Sequence, residues 1–229
     1  MPQHQRQQSS SPMWRHGEVV HTPQTVRRAS GSPGHYELVV IAASAGGVKA
    51  LEQLLSALPA DFPVPIAVVQ HRTTREPNLL ARVLGRHTPL IVKTAEQSEA
   101  MHPGTVYLAP PDLHLTVGED QRLALTDGHR IRHVLSSANP LFASAAAVFG
   151  SRVIAVVLTG SGRDATDGVQ TVKTRGGIVI AQDRATSTMF AMPRSAIETG
   201  CVDRVLPLEE IAPTLVRLVT ATTDADAGP

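Results

Sequence analysis

Apolar residues come in short runs along this chain, separated by polar stretches rich in glycine and proline. Leu38-Val39-Val40-Ile41-Ala42-Ala43 is the first strong run; β-branched and without alternation, it predicts a strand buried on both faces. It ends in Ser44-Ala45-Gly46-Gly47, after which Val48, Leu51, Leu55 and Leu58 recur at the spacing of a helix face. A second such run, Ile66 to Gln70, ends at His71. The pattern from Pro77 to Leu84 predicts the next helix, with Pro77 suited to its first turn, and Leu90 to Lys93 predicts a third strand. One strand–helix unit after another predicts an α/β domain with a doubly wound, mostly parallel sheet.

The rhythm breaks in the middle of the chain. The runs Thr105 to Ala109 and Leu113 to Val117 are short, Gly118-Glu119-Asp120 signals a turn, and Leu123 to Thr126 returns. Together they read as an antiparallel hairpin inserted at one side of the sheet. The pattern then predicts a helix over Pro140 to Phe149, with Phe142 and Phe149 on one face. Arg152 to Thr159 is the longest buried-strand run, and it leads into Gly160-Ser161-Gly162-Arg163-Asp164. A helix from about Thr166 to Thr174, a strand over Gly177 to Gln182 and a helix from Pro193 to Thr199, stopped by Gly200, are expected next. A strand at Val202 to Val205 and a helix from about Leu208 to Val219 complete the pattern.

Composition narrows the class. The 229 residues suffice for one large domain with its own core, and 42% hydrophobic with 18% charged residues is ordinary for a globular protein. A net charge of +1 and only 3% aromatics leave neither the field nor the stacking platforms for nucleic acid. The single cysteine, Cys201, excludes an intrachain disulfide and a thiolate zinc cluster, and fits a reducing cytoplasm. No apolar run approaches the ~20 residues of a membrane helix, so direct membrane insertion is not expected. Residues 1–35 are rich in Gln, Ser, Pro, His and Arg, and their composition predicts a disordered tail. Arg27-Arg28 is followed by no apolar segment, which argues against an export signal. The folded domain is expected over residues 36–219, with a flexible C-terminal tail at 220–229.

Candidate chemistry gathers at three predicted strand ends: Ser44, His71 and Asp164. In a parallel sheet all carboxyl ends lie along one edge, so residues far apart in sequence converge there. A serine hydroxyl needs a base to become a nucleophile, a histidine titrates near neutral pH, and a carboxylate can orient the imidazole. Each residue alone also has a plain reading: Ser44 as a helix N-cap, His71 as a strand-end histidine, Asp164 as a loop carboxylate. A rival site is a dinucleotide loop. Gly160-Ser161-Gly162 with Ala165 fits G-x-G-x-x-A, and Asp183 lies where a ribose-binding acid is expected. Against it, Asp164 would bring a carboxylate to the pyrophosphate. His129 and His133 lack an accompanying Glu, so no metal is expected. Asp112 and His114 on the hairpin are expected at the surface, and Met189 and Met192 beside Phe190 as core or cleft-wall packing.

Five segments in order resemble the catalytic domain of CheB-type chemotaxis methylesterases. They are Ile41 to Gly47, Val69-Gln70-His71, Pro103 to Pro110, Leu158 to Asp164, and Ala191-Met192-Pro193-Arg194. The resemblance covers about Leu38 to Val219. It implies a doubly wound, Rossmann-like domain that hydrolyses glutamate methyl esters on the cytoplasmic domain of chemotaxis receptors, releasing methanol, and that can deamidate receptor glutamines. It implies Ser44 as nucleophile, His71 as base, Asp164 as orienting carboxylate, and no cofactor. The backbone N–H groups of Ala45 and Ser161 would then form the oxyanion hole. The sequence departs from the family at Ala45, usually Thr; at Arg72, usually Met; at Ser161, usually Met; and at Ala165, usually Gly. Family members usually carry an N-terminal receiver domain, for which the 35-residue tail is too short, so an esterase without phosphorylation control in cis is expected. A binding module of the same fold without turnover is the alternative.

Overall fold

The computed structural model describes residues 36–71, 79–127 and 136–221. The N-terminal tail, Arg72, Pro77, the His129–His133 pair and most of the expected C-terminal tail lie outside the described residues. β1 (Leu38–Ala43) is buried along its whole length. It is followed by α1 (Gly47–Ser56), β2 (Ile66–Gln70), α2 (Leu79–Leu84), β3 (Ile91–Thr94) and the two-residue β4 (Glu99–Ala100). Then come β5 (Thr105–Leu108), β6 (Leu113–Val117), β7 (Arg122–Asp127) and α3 (Ala138–Phe149). The chain continues through β8 (Val153–Val157), α4 (Thr166–Thr174), β9 (Ile178–Gln182), α5 (Ala191–Ile197), β10 (Arg204–Leu206) and α6 (Leu208–Thr220).

Among the described residues, seven strands form one sheet in the order β10-β9-β8-β1-β2-β5-β3, every pairing parallel. Alternate side chains of β1 enter two different cores. Val39, Ile41 and Ala43 pack with Leu51, Leu54 and Leu55 of α1 and with Ile211 and Leu215 of α6. Leu38, Val40 and Ala42 pack with Leu141 and Phe142 of α3, Val169 of α4 and Met192 of α5. Helices on both faces make both sets of positions apolar, which is why the strand reads as an unbroken run. Phe142 and Phe149 share the second core, on one face of α3 as the spacing predicts.

The hairpin is smaller than expected. β6 and β7 pair antiparallel, with the short β4 alongside β7. Thr105–Leu108 does not belong to it: β5 lies in the main sheet, parallel to β2 on one side and β3 on the other. All four of its residues are buried, as a central strand requires. A four-residue run is too short for periodicity to separate that role from a hairpin arm. α3 and α5 each begin two residues earlier than the pattern suggested, with Pro140 and Pro193 inside their first turns, where no N–H is needed.

The chain leaves β1 toward β2 on one side and returns through β8 on the other, so the order of the sheet reverses at β1. Ligands of doubly wound sheets bind in the crevice that such a reversal opens at the carboxyl ends. The turns after β1, β2 and β8 carry Ser44, His71 and Asp164.

Candidate active site

β1 and β2 run in register, Ala43 opposite Gln70, and the His71 N–H donates to Ala43 O at 3.0 Å. On the other side the Ser44 N–H donates to Thr159 O at 3.0 Å. Ser44 is therefore held between the two neighbouring strand ends, and His71 stands level with it on the adjacent strand, about 5 Å away by the spacing of paired strands. Gln70 clamps both turns: its amide N–H₂ donates to Ser44 O at 2.9 Å and to His71 O at 2.8 Å.

Ser44 is not the cap of α1. The N-cap is Gly46, in the left-handed region with φ 78°, and no side chain caps this helix. The Ser44 Oγ makes no hydrogen bond among the described residues, so the plain capping reading is set aside and the hydroxyl is left for other work. Close approach of the β8 turn depends on Gly160. A Cβ there would meet Ser44 Cβ and Met192 Cε, each at 2.8 Å. Thr159 adds a second tie, since its Oγ1 lies 3.0 Å from Ala45 O and accepts the Met189 N–H at 2.9 Å. Met192 is fully buried, whereas Met189 is 44% exposed beside the site.

His71 and Asp164 meet. Nε2 of His71 lies 2.8 Å from Oδ2 of Asp164, and both side chains are largely shielded from water. An ionised carboxylate can only accept, so Nε2 carries the proton and neutral His71 keeps its lone pair on Nδ1. Asp164 has further partners that sequence reasoning missed. Ser137 Oγ donates to its Oδ1 at 2.5 Å and the Ala138 N–H to its Oδ2 at 2.7 Å, both from the start of α3. Burial pushes the Asp164 carboxyl up. The bonds from His71, Ala138 and Ser137 outweigh burial and hold it below the ordinary carboxylate value. The signal for Ser137 was present in the sequence: a serine three residues before Pro140 marks an N-cap, and Ser137 is the N-cap of α3.

The N–H groups of Ala45 and Ser161, at two exposed turn residues, donate no hydrogen bond among the described residues. His114, expected at the surface, is instead buried, with Nδ1 accepting the Ser137 N–H at 3.2 Å. The contact that shields it comes from the start of α3, where Ser137 docks against the imidazole. Asp112 is exposed as expected. Asp183, the ribose acid of the dinucleotide reading, is engaged locally through Oδ1, which accepts the Thr186 N–H at 2.9 Å and the Thr186 hydroxyl at 2.7 Å. The carboxylate of Asp164 also stands in the loop where a pyrophosphate would lie.

Fold and site define a doubly wound α/β protein with a serine, a histidine–aspartate pair and unengaged N–H groups at its topological switch point. Residues 39–215 match the family described as CheB methylesterase, and the chain belongs to that family. It is 44% identical over 197 residues to protein-glutamate methylesterase FrzG of Myxococcus xanthus, covering 86% of this chain and 59% of that protein. It is 39% identical over 184 residues to a putative protein-glutamate methylesterase/protein-glutamine glutaminase of Leptospira interrogans, covering 80% of this chain and 95% of that one. The crystal structure of the Thermotoga maritima CheB methylesterase catalytic domain superposes with a TM-score of 0.77 at 40% identity, covering 80% of this chain and 99% of that domain. One departure from the family pattern has a visible physical consequence. Ala165 holds a left-handed conformation at φ 70°, where glycine is unstrained and alanine is not.

Proposed function

We propose that this protein is a serine esterase that hydrolyses glutamate methyl esters on the cytoplasmic domain of chemotaxis receptors, releasing methanol, and that it deamidates receptor glutamines at the same site. The observation that carries the proposal is the His71–Asp164 hydrogen bond beside a Ser44 hydroxyl that caps nothing. In this reading Nδ1 of His71 takes the proton of Ser44 Oγ as that oxygen attacks the ester carbonyl. The oxyanion is met by the N–H groups of Ala45 and Ser161, which need no particular side chain, so Ala and Ser in place of the family's Thr and Met are compatible with turnover. His71 returns the proton to the departing methoxide oxygen, which leaves as methanol, or to the amide nitrogen of glutamine, which leaves as ammonia. Water then cleaves the acyl-enzyme with His71 as base again. Asp164 stabilises the imidazolium and fixes which nitrogen faces Ser44. The alignment of Ser44 with His71 tightens when substrate fills the cleft, as catalytic hydrogen bonds commonly do. No described helix is long and apolar enough to cross a membrane, and we place the enzyme in the cytoplasm, where receptor signalling domains lie.

The test is methanol release from a methylated chemoreceptor fragment by the wild-type chain and by Ser44→Ala. The wild type should turn over and Ser44→Ala should lose about 10⁴-fold or more in kcat. A simple methyl ester run in parallel separates an esterase from a binding module of the same fold. Wild-type protein inert toward both substrates would establish the module.

A further inference from the structure

Asp164 is held by more than its histidine. Its Oδ1 takes the hydroxyl of Ser137, and its Oδ2 takes both His71 Nε2 and the Ala138 N–H. A carboxylate bonded only to an imidazole can turn about its own axis. Pinning Oδ1 to a fully buried hydroxyl removes that freedom and aims Oδ2 at His71. Ser137 is in turn held from the far side, since its N–H donates to Nδ1 of His114 at 3.2 Å. His114 is 3% exposed, and its Nε2 has no partner among the described residues. With Nδ1 accepting, neutral His114 carries its proton on that buried, unpaired Nε2. Such a group costs stability wherever it stands, and a phenylalanine or leucine would avoid the cost. What the imidazole supplies is the one acceptor that the Ser137 N–H uses.

We infer that His114 and Ser137 are positioning residues for the reaction: β6 fixes Ser137, Ser137 fixes Oδ1 of Asp164, and Asp164 thereby presents Nδ1 of His71 to Ser44. The inference rests on the esterase reading and adds a line of hydrogen bonds reaching from the antiparallel hairpin to the nucleophile. It touches no substrate atom, so the relay acts on turnover and leaves substrate binding alone.

The experiment measures kcat, KM and Tm on the full chain with a methylated chemoreceptor fragment. The variants are Ser137→Ala, Ser137→Gly, Ser137→Thr, His114→Leu, His114→Asn and Asp164→Asn. Ser137→Ala and Ser137→Gly should lower kcat by about 10- to 100-fold, the range for a partner behind a functional group, with KM within about twofold. Glycine is tolerated at an N-cap, so Ser137→Gly separates the lost hydroxyl from a lost helix start. Ser137→Thr, which keeps the hydroxyl, should recover most of the turnover. His114→Leu should slow kcat by about fivefold or more, and His114→Asn, whose Oδ1 can replace Nδ1 as acceptor, should reverse that loss. A folded Ser137→Gly with wild-type kcat, or Ser137→Thr as slow as Ser137→Ala, would overturn the relay. Asp164→Asn distinguishes the two levels. If it retains turnover the triad reading fails, whereas if it is inactive and Ser137→Gly is not, only the relay fails.

Discussion

At the residue scale, the site consists of side chains freed from structural duty beside side chains fully committed to it. Ser44 is of the first kind. Because its hydroxyl caps no helix, Ser44→Ala should leave the midpoint of urea unfolding nearly unchanged while removing activity, and a large shift in that midpoint would show a structural role. Asp164 is of the second kind. Its folded-state carboxyl lies below the ordinary value of 3.8, so the ionised form stabilises the fold above that value, and the contribution is lost as pH falls through the folded-state value. The stability gap between wild type and Asp164→Asn should therefore be widest near neutrality and shrink below about pH 4. Urea titrations at pH 7, 5 and 3 measure it, and a gap that widens toward acid would mean the carboxyl is not held by hydrogen bonds. Asp164→Asn should also cut kcat by about 10⁴-fold, since an amide stabilises the wrong imidazole tautomer, as it does in serine proteases.

At the scale of elements, the position of Asp164 depends on how α3 and α4 meet. α4 begins after Ala165 with no side-chain cap of its own. One of its first N–H groups, that of Gly168, is satisfied across the helix interface by Asn139 Oδ1 at 2.8 Å. Gly168 also lets the helices touch, since a Cβ there would lie 2.6 Å from Phe142 Cβ. The same first turn of α3 that caps α4 therefore supplies Ser137 and Ala138 to Asp164. Asn139→Ala would strand a buried N–H and should cost about 1–3 kcal/mol. Chemical denaturation should record that loss, and an unchanged midpoint would mean that water replaces the amide without cost.

At the scale of the whole molecule, residues 36–221 contain both sheets and every candidate site residue. The Thermotoga catalytic domain, which aligns with 80% of this chain, is a structure of that domain alone. Removing residues 1–33 should therefore leave Tm within a few degrees and change kcat/KM on receptor fragment by less than about threefold, or roughly 0.7 kcal/mol. A tenfold rise in activity on deletion would identify the segment as an inhibitor. A tenfold fall seen with receptor fragment and not with a small ester would identify it as a docking arm.

Much of this protein was legible in its sequence because the information is local. Unbroken apolar runs such as Leu38–Ala43 and Val153–Val157 specify strands buried on both faces, and α4 spans Thr166–Thr174 as its pattern predicts. Strand ends that carry a serine, a histidine and an aspartate already pointed to one edge of a parallel sheet. Tertiary structure alone decided which backbone neighbours those ends have. Parallel pairing joins residues far apart in the chain, so the place of β5 between β2 and β3 has no local signature. The burial of His114 likewise came from the docking of Ser137, at the start of α3, against its imidazole, and nothing local to β6 reports it. The same holds for Ser137. Its sequence marks a helix cap, but only the approach of α3 to the β8 turn aims that hydroxyl at Asp164, because hydrogen bonds across 27 residues are set by how elements dock.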